Sequence, residues 1–291
     1  MKRTHQRRDL QHDACAKVNL TLEVLGKRPD GYHQVASVMQ TIELRDRLRF
    51  APAGQISLTC NLASLETPDN LVLRAAALLQ QHTGCEQGAE IHLEKAIPQA
   101  AGLGGGSSDA AVTLRGLNTL WGLDLGLEEL RSLGASLGSD VPFFLQGGTA
   151  LAEGRGELVK PLQPLPPVLF VLVVPQVEIP HKTAALYGHL SPAHYTGGEA
   201  TQAVRRSLEE GRRPAGELLF NAFEAVAFGL FPQVEECRRA FLAAGAPWVR
   251  LAGSGPALYT FMTSAVKAST LVKRLREAGY RPWVTLAAPS P

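Results

Sequence analysis

The chain has 291 residues, of which 45% are hydrophobic and 19% charged, a composition that is typical of a folded protein with one large domain or two smaller ones. Its 29 basic and 27 acidic residues nearly cancel, to a formal net charge of +2, so electrostatics give no argument for a nucleic-acid-binding protein. The four cysteines include no CxxC pair, which argues against a zinc site or a disulfide framework and favours a cytoplasmic location.

The N-terminal third is predicted to be rich in strands. Residues 1–13 are polar and basic, lack the apolar core of a secretory signal, and are expected to form a disordered tail. Apolar residues alternate from Ala14 to Leu25, which predicts a strand with Lys17 and Asn19 on one face. Taken alone, that face is better explained as solvent-exposed.

The next segments predict a hairpin, a helix and a further strand. Segments 47–50 and 55–59 flank a turn that contains proline and glycine, which predicts a β-hairpin. Asp69 is a suitable N-cap for a helix that runs to about residue 82, and Ala89–Glu94 is predicted to be a strand.

A glycine-rich segment, Gly102–Asp109, is the strongest local signal. Its four glycines allow the backbone to curve closely around a ligand, and its Ser-Ser-Asp end is typical of a helix N-terminus. Successive N–H groups and the helix dipole favour phosphate binding there. A Walker loop is excluded because no lysine follows the glycines, and Ser107 breaks the dinucleotide-binding fingerprint. A plain helix cap or a flexible linker is the structural alternative.

Two turns contain further candidate residues. In Gly138-Ser-Asp-Val-Pro142, the proline favours an extended Val141 and places Asp140 at a chain reversal, where an aspartate commonly caps a helix. In Asp30-Gly-Tyr-His33, the turn residues place Tyr32 and His33 at a loop tip. Each of these turns has a purely structural explanation when it is considered alone.

The C-terminal half begins after four prolines between residues 161 and 167, which predict a domain boundary or a rigid link. The final strand–turn–strand–helix–strand order, with Gly253-Ser-Gly255 as its turn, indicates part of an α+β sandwich. The predicted strands of this half are 168–174, 248–252, 257–262 and 281–286, and the predicted helices are 184–190, 204–210, 218–228, 234–244 and 265–278.

Three of these segments occur together, in one order, in a known superfamily. Through Lys17–Leu20, Pro98–Ala111 and Leu251–Pro256 the chain resembles the GHMP kinases, which include galactokinase, homoserine kinase, mevalonate kinase and phosphomevalonate kinase. The resemblance implies an α+β fold with the GHMP-kinase two-domain architecture and an active-site cleft between the domains. Residues 1–160 would form the ATP-binding domain, and residues 161–291 an α/β domain that completes the substrate cleft.

Within the superfamily, the segment Asp30–His33 resembles the one found in a single branch. That branch phosphorylates a cytidine-diphosphate-linked methylerythritol in the non-mevalonate isoprenoid pathway. The implied reaction is phosphorylation of its 2-hydroxyl, with ATP as co-substrate and Mg²⁺. A homoserine- or mevalonate-type kinase and a non-catalytic metabolite sensor are the alternatives. We expect a small-molecule substrate with a cytidine diphosphate moiety, no nucleic-acid or membrane partner, a monomer or weak homodimer, and a cytoplasmic location.

The resemblance also implies roles for individual residues. Asp140 is expected to be the catalytic base and Lys17 its cationic partner. Ser108 is a candidate Mg²⁺ ligand, and a helix N-cap without a metal contact explains it equally well. The residues expected to bind ATP are Gly102, Leu103, Gly104, Gly105, Gly106, Ser107, Ser108, Asn70 and Lys95. Those expected to bind the substrate are Asn19, Tyr32, His33 and Tyr187, with the two tyrosines on either side of the cytosine ring.

Overall fold

The computed structural model describes residues 9–177 and 179–290. The strands in these ranges are β1 (Leu10–Asn19), β2 (Thr21–Lys27), β3 (His33–Ala53), β4 (Ser57–Cys60), β5 (Gly88–Glu94), β6 (Thr149–Gly154), β7 (Leu158–Pro161), β8 (Leu169–Val173), β9 (Phe220–Asn221), β10 (Arg250–Leu251), β11 (Leu258–Met262) and β12 (Trp283–Leu286). The α-helices are α1 (Leu71–Thr83), α2 (Gly105–Trp121), α3 (Leu127–Leu137), α4 (Val141–Gln146), α5 (Lys182–His189), α6 (Glu199–Glu209), α7 (Glu224–Leu230), α8 (Pro232–Ala243) and α9 (Ala265–Glu277). The predicted α+β fold is confirmed.

The chain forms two compact units, neither of which is continuous in sequence. Unit 1 contains the described residues up to Ala16 together with Leu44–Gln99 and Gly104–Leu145. Unit 2 contains Lys17–Glu43, Ala100–Leu103 and the described residues from Gln146 onward. These two units do not coincide with the predicted domains, residues 1–160 and 161–291. The division into those two domains stays a prediction.

Unit 1 contains the second half of β3, which pairs antiparallel with β5, and β4, which pairs parallel with the other edge of β5. The predicted hairpin between 47–50 and 55–59 is therefore wrong, because β5 lies between its two expected strands. The turn after β3 crosses the end of β5 instead of reversing: a Cβ atom on Gly88 would lie 2.5 Å from Gln55 Cα. Glycine at the start of β5 makes this crossing possible.

Residues 10–13 are ordered, which corrects part of the predicted tail. They form the start of β1, which pairs with β3. Asp13 contributes to this order, since its carboxylate lies 3.2 Å from the Arg45 guanidinium and 3.6 Å from that of Arg47. The part of the predicted tail up to residue 8 lies outside the described residues.

Unit 2 contains two groups of strands. The first half of β3 pairs antiparallel with β2 and β6, and β9 adds to β2 in parallel. A second sheet has the antiparallel order β10-β11-β8-β12 and carries the predicted strand–turn–strand–helix–strand order as β10, β11, α9 and β12. Its core includes Val171, Val173, Phe241, Leu258, Leu271 and Leu275, all buried.

The predicted helix over 218–228 is only partly correct. Main-chain N–H groups of Phe220 and Ala222 donate to Leu20 and Leu22 of the β2 region at 3.3 and 2.8 Å, so this stretch is extended and α7 begins only at Glu224. Pairing with a distant strand has overridden the local helical pattern. Within the two described ranges, no helix combines the length and apolar character that a membrane crossing requires.

Candidate active site

The N-terminus of α2 has the geometry of an anion-binding site. Gly104 occupies the position before the helix with φ 74°, in the left-handed region that favours glycine. Having no side chain, it leaves the first-turn N–H groups without the usual capping acceptor. The helix itself is established at Ser108, whose N–H donates to the Gly104 carbonyl at 2.9 Å. Exposed first-turn N–H groups and the positive end of a 17-residue helix suit a phosphate group.

A buried ion-pair network lies beside this helix start in unit 1. Lys95 Nζ donates to Asp109 Oδ2 at 2.7 Å and also forms an ion pair with Asp46, and the side chains of Lys95, Asp46 and Asp109 are only 6%, 0% and 4% exposed. Asp46 also accepts the N–H groups of Ala96 and Ile97 at 2.6 and 2.8 Å. The network thus ties the β3 segment, the turn after β5 and α2 together.

The charges of this network shift each other's protonation. Burial disfavours the charged form of Lys95, but the carboxylates of Asp109 and Asp46 outweigh it and raise the pKa of the amine. Burial and the neighbouring Asp46 raise the pKa of Asp109, although Lys95 opposes this shift. Lys95 was expected to bind ATP. A Cβ atom on Gly105 would lie 3.2 Å from its Nζ, so the amine adjoins the glycine segment, but its hydrogen bonds go to two buried carboxylates.

Asn70, the other residue expected near the nucleoside end of ATP, caps α1. Its Oδ1 accepts from Val72 N at 2.9 Å and its Nδ2 donates to Leu65 O at 2.8 Å. The predicted cap, Asp69, is one residue too early. The start of α1 adjoins the start of α2, since a Cβ atom on Gly106 would lie 3.6 Å from Leu71 Cδ1. The structure thus brings Asn70, Lys95 and the glycine segment 104–108 together within unit 1.

Asp140 lies directly before α4 and is half-buried. Its carbonyl accepts the N–H of Phe144 at 3.3 Å, which places Asp140 at the helix-capping position expected from the sequence. The preceding Gly138 adjoins α2, because a Cβ atom there would lie 3.8 Å from Ser107 Oγ. The half-buried Asp140 is therefore held on a short turn next to the start of α2.

In unit 2, Lys17 and Asn19 form one hydrogen-bonded unit. Lys17 Nζ donates to Asn19 Oδ1 at 2.6 Å, and Asn19 Nδ2 donates to Ser37 Oγ at 2.8 Å. The Asn19 carbonyl accepts the Tyr259 hydroxyl at 2.7 Å, in the buried core. The solvent-exposed face that the sequence of β1 favours when taken alone is therefore wrong, because Lys17 and Asn19 are buried and hydrogen-bonded.

The Gly253–Gly255 turn packs against Lys17 and the first part of the glycine segment. A Cβ atom on Gly253 would lie 2.9 Å from Lys17 Nζ, and one on Gly102 would lie 2.8 Å from Gly255 N. Leu103 O accepts the Lys17 N–H at 2.9 Å. The early motif, the late motif and residues 102–103 of the middle motif thus meet within unit 2, and glycines are required where they touch.

Of the residues expected to hold cytosine, His33 and Tyr187 belong to one aromatic cluster. The His33 ring stacks on Tyr187 with centroids 4.6 Å apart and an interplanar angle of 14°, and meets Tyr195 edge-on at 6.2 Å. Phe223 contacts the Tyr187 ring edge-on at 4.8 Å. Tyr32 is 54% exposed, with the Arg155 guanidinium 4.7 Å from its ring centroid. The two tyrosines therefore have different partners, and their flanking role stays a prediction.

The protonation state of His33 suits recognition of a neutral base. Burial and the positive charge of Lys27 lower the pKa of His33 below its usual value. The imidazole is then neutral near pH 7 and offers one N–H donor and one nitrogen acceptor.

Sequence reasoning assigned no individual role to Lys182, Thr183 or Ser254, although Ser254 lies in the late motif. Thr183 Oγ1 donates to Ser254 Oγ at 2.8 Å, which joins the start of α5 to the turn that contacts Lys17. Lys182 is close enough to Lys17 for the second charge to lower its pKa, after burial, which is the larger cause. No sequence motif marks this segment, because its neighbours in space come from residues 17 and 253–255.

Comparison with known proteins identifies the class of protein that this fold and site define. The model of the GHMP kinases N terminal domain matches residues 70–148, and that of the GHMP kinases C terminal region matches residues 200–281. A homoserine kinase from Cytophaga hutchinsonii superposes with a TM-score of 0.72 over 100% of this chain and 98% of its own, at 18% identity, which supports the fold. The chain is a GHMP kinase with the predicted two-domain architecture.

Relatives of higher sequence identity show which family of GHMP kinases the chain belongs to. The chain is 46% identical to the 4-diphosphocytidyl-2-C-methyl-D-erythritol kinase of Pelotomaculum thermopropionicum, covering 94% of this chain and 96% of that one. It is 43% identical to the enzyme of the same name from Dehalococcoides mccartyi, covering 93% and 95%. A crystal structure of 4-(cytidine 5'-diphospho)-2C-methyl-D-erythritol kinase superposes with a TM-score of 0.81 at 37% identity, covering 96% and 100%. The chain belongs to the 4-diphosphocytidyl-2-C-methyl-D-erythritol kinase family.

Proposed function

We propose that this small-molecule kinase transfers the γ-phosphoryl group of ATP to the 2-hydroxyl of 4-diphosphocytidyl-2-C-methyl-D-erythritol. The names of its relatives support this acceptor, since both are called kinases of that compound. The observation that carries the proposal is the arrangement in unit 2. The buried Lys17–Asn19 pair, held against the 253–255 turn, lies in the same unit as the neutral, aromatic-lined His33. A superfamily phosphoryl-transfer motif is thus combined with a surface suited to a nucleobase.

The reaction requires alignment and charge neutralisation more than covalent chemistry from the protein. The substrate 2-hydroxyl oxygen forms the new bond to the γ-phosphorus, the bond to the β,γ-bridging oxygen breaks, and ADP leaves. In this proposal Asp140 accepts the hydroxyl proton, Lys17 stabilises negative charge on the transferring group, and the N–H groups at the start of α2 hold the nucleotide phosphates.

Mg²⁺ fits this scheme as part of the Mg·ATP co-substrate, where it neutralises phosphate charge. The part of the chain that the structure describes contains no group of three or more His, Cys, Asp or Glu side chains that could hold a metal. Mg²⁺ that accompanies ATP usually takes most of its ligands from phosphate oxygens and water. Ser108, buried in the first turn of α2, stays a candidate ligand.

Three acceptors in an ADP-release assay test the proposed function: the cytidine-diphosphate-linked methylerythritol, homoserine and mevalonate. We expect kcat/KM for the cytidine compound to exceed the others by about 10⁴-fold, because a site with buried polar groups rejects a ligand that leaves them unpaired. Comparable rates with homoserine or mevalonate would favour those kinases instead.

Base specificity provides a second prediction. His33→Ala should reduce the preference for the cytidine substrate over its uridine analogue, because the neutral imidazole supplies a hydrogen bond that distinguishes the two bases. Tyr32→Ala and Tyr187→Ala should weaken binding of both substrates by about 1–3 kcal/mol, the usual value of a base stack, and leave the preference unchanged. The measurement is kcat/KM for both substrates.

The matched control for that series is His189→Ala, which removes an exposed histidine from the same helix as Tyr187. It should behave as the wild type. An unchanged cytidine preference in His33→Ala would contradict the role of His33, and a silent Tyr187→Ala would remove this tyrosine from the base site.

Gly253→Ala provides a third prediction, on kcat. Gly253 has φ 55°, and a Cβ atom there would lie 2.9 Å from Lys17 Nζ and 2.8 Å from Gly102 O. The methyl group should displace Lys17, and a displacement near 1 Å costs about 10²-fold in turnover. Gly279→Ala is the control, since Gly279 also has a positive φ, 87°, but an added Cβ would meet nothing within 4 Å. Equal kcat in the two variants would contradict the positioning of Lys17 by this turn.

A further inference from the structure

Lys182 and Lys17 belong to one continuous cluster in unit 2. Thr183, which follows Lys182 at the start of α5, donates to Ser254 Oγ at 2.8 Å. The neighbouring Gly253 approaches the Lys17 amine so closely that a Cβ atom would lie 2.9 Å from its Nζ. The 253–255 turn thus bridges the two lysine-bearing segments and places two hydroxyl groups beside them.

The charges of this cluster favour an anion. Lys182 is half-buried, and both its burial and the positive charge of Lys17 lower its pKa. Two partly desolvated ammonium groups repel each other, and a negative group bound beside them would relieve this repulsion.

The position of Lys182 along α5 indicates which anion it meets. Tyr187, which stacks on His33, follows five residues later on the same helix. At 1.5 Å per residue, the two backbone positions are about 7.5 Å apart along the helix axis. One short helix therefore carries a residue of the aromatic cluster and, at its start, the lysine whose pKa Lys17 lowers. In the substrate of the proposed reaction, the diphosphate joins the cytidine, which would bind at the aromatic cluster, to the methylerythritol, whose hydroxyl would react near Lys17.

We propose that Lys182 binds the diphosphate of the substrate, with the Thr183 and Ser254 hydroxyls as further donors, and so selects diphosphate-linked acceptors. The inference rests on the proposed function for the identity of the substrate. It adds a specificity-determining residue at the start of α5 that is distinct from the catalytic pair.

The test compares CDP and cytidine as competitive inhibitors of the wild type, Lys182→Met and Lys182→Arg. We expect Lys182→Met to weaken inhibition by CDP about 10- to 100-fold, the usual effect of losing one hydrogen bond to a charged group, while inhibition by cytidine is unchanged. The KM for the diphosphate substrate should rise by the same factor, with kcat and the KM for ATP near wild type. Lys182→Arg should retain most of the CDP affinity. Lys267→Met, at an exposed lysine of α9, is the matched control and should be silent.

Three outcomes would overturn the inference while the wild type remains an active kinase. Equal weakening of cytidine and CDP would indicate a structural role, and unchanged CDP inhibition would remove Lys182 from the diphosphate site. A loss confined to kcat or to the KM for ATP would assign Lys182 to the nucleotide phosphates instead. Failure of the proposed function would look different from failure of this inference, because CDP would then not inhibit the wild type either.

Discussion

Asp140→Asn is expected to lower kcat by about 10²–10⁴, the usual contribution of a positioned general base. Asparagine has the same shape and caps helices as well as aspartate does, so the turn before α4 should be preserved. It cannot accept the hydroxyl proton, because an amide is not basic. Substrate affinity and the melting temperature should therefore change little while turnover falls.

Asp69→Asn is the matched control for this variant. Asp69 is exposed, lies in the same unit and also precedes a helix, α1. Single-turnover and steady-state rates of the two variants, measured together with their melting temperatures, separate catalysis from folding. Near-normal turnover in Asp140→Asn would exclude Asp140 as the base and reduce it to a helix cap.

Lys95→Met is expected to have the largest effect on stability. Its amine bridges the buried carboxylates of Asp46 and Asp109, and removal of one partner from a buried ion pair typically costs about 3–5 kcal/mol. The free energy of unfolding, measured by urea titration, should fall by that amount. Lys160→Met is the control, since Lys160 pairs with Glu153 at 2.9 Å on the surface, where such a pair contributes at most about 1 kcal/mol.

The loss in Lys95→Met should depend on pH. Burial already raises the pKa of Asp109 above its ordinary value, and removal of the lysine should raise it further. A carboxyl group with a raised pKa in the folded state lowers stability as pH rises from its unfolded-state pKa to the raised value, because the unfolded chain releases the proton first. A higher folded-state pKa in the variant therefore extends its loss of stability to higher pH than in the wild type. The variant should therefore be closer to wild-type stability at pH 5 than at pH 8. A variant that is as stable as the wild type at both pH values but binds ATP poorly would show that Lys95 acts mainly on the nucleotide.

Local patterns predicted those elements whose signals lie within a few residues. The alternating apolar residues of 89–94 define β5, which is observed one residue longer than predicted because it begins at Gly88. The predicted strand, turn and helix order from residue 248 is also present as β10, β11, α9 and β12, because each of these elements has its own periodicity and turn residues.

Predictions failed where distant partners decide the structure. Segment 55–59 lies beside β5 and not beside β3, and no local pattern shows that a third strand separates the two. Residues 220–222 are extended because β2, about two hundred residues earlier, offers them hydrogen bonds. Leu10–Asp13 looked like a polar tail because their order depends on pairing with β3 and on two arginines more than thirty residues away.

The candidate site shows the same division. Lys17, Asn19 and the glycine segment were found because they lie in recognisable motifs. The partners that determine their environments were not: Asp46, which holds Lys95, lies 49 residues away from it in sequence, and Lys182 is connected to Lys17 only through the 253–255 turn. Motifs therefore pointed to the candidate groups, while their charges and neighbours required the three-dimensional structure.

The most direct test of the account is to identify the product by ³¹P and ¹³C NMR after incubation of the protein with Mg·ATP and the cytidine-diphosphate-linked methylerythritol. Transfer to the 2-hydroxyl predicts one new phosphomonoester resonance beside the two intact diphosphate resonances, with phosphorus coupling at the tertiary C2 carbon, and one ADP for each product molecule. Release of ADP without a new phosphomonoester, or phosphorus coupling to a different carbon, would contradict the proposed reaction.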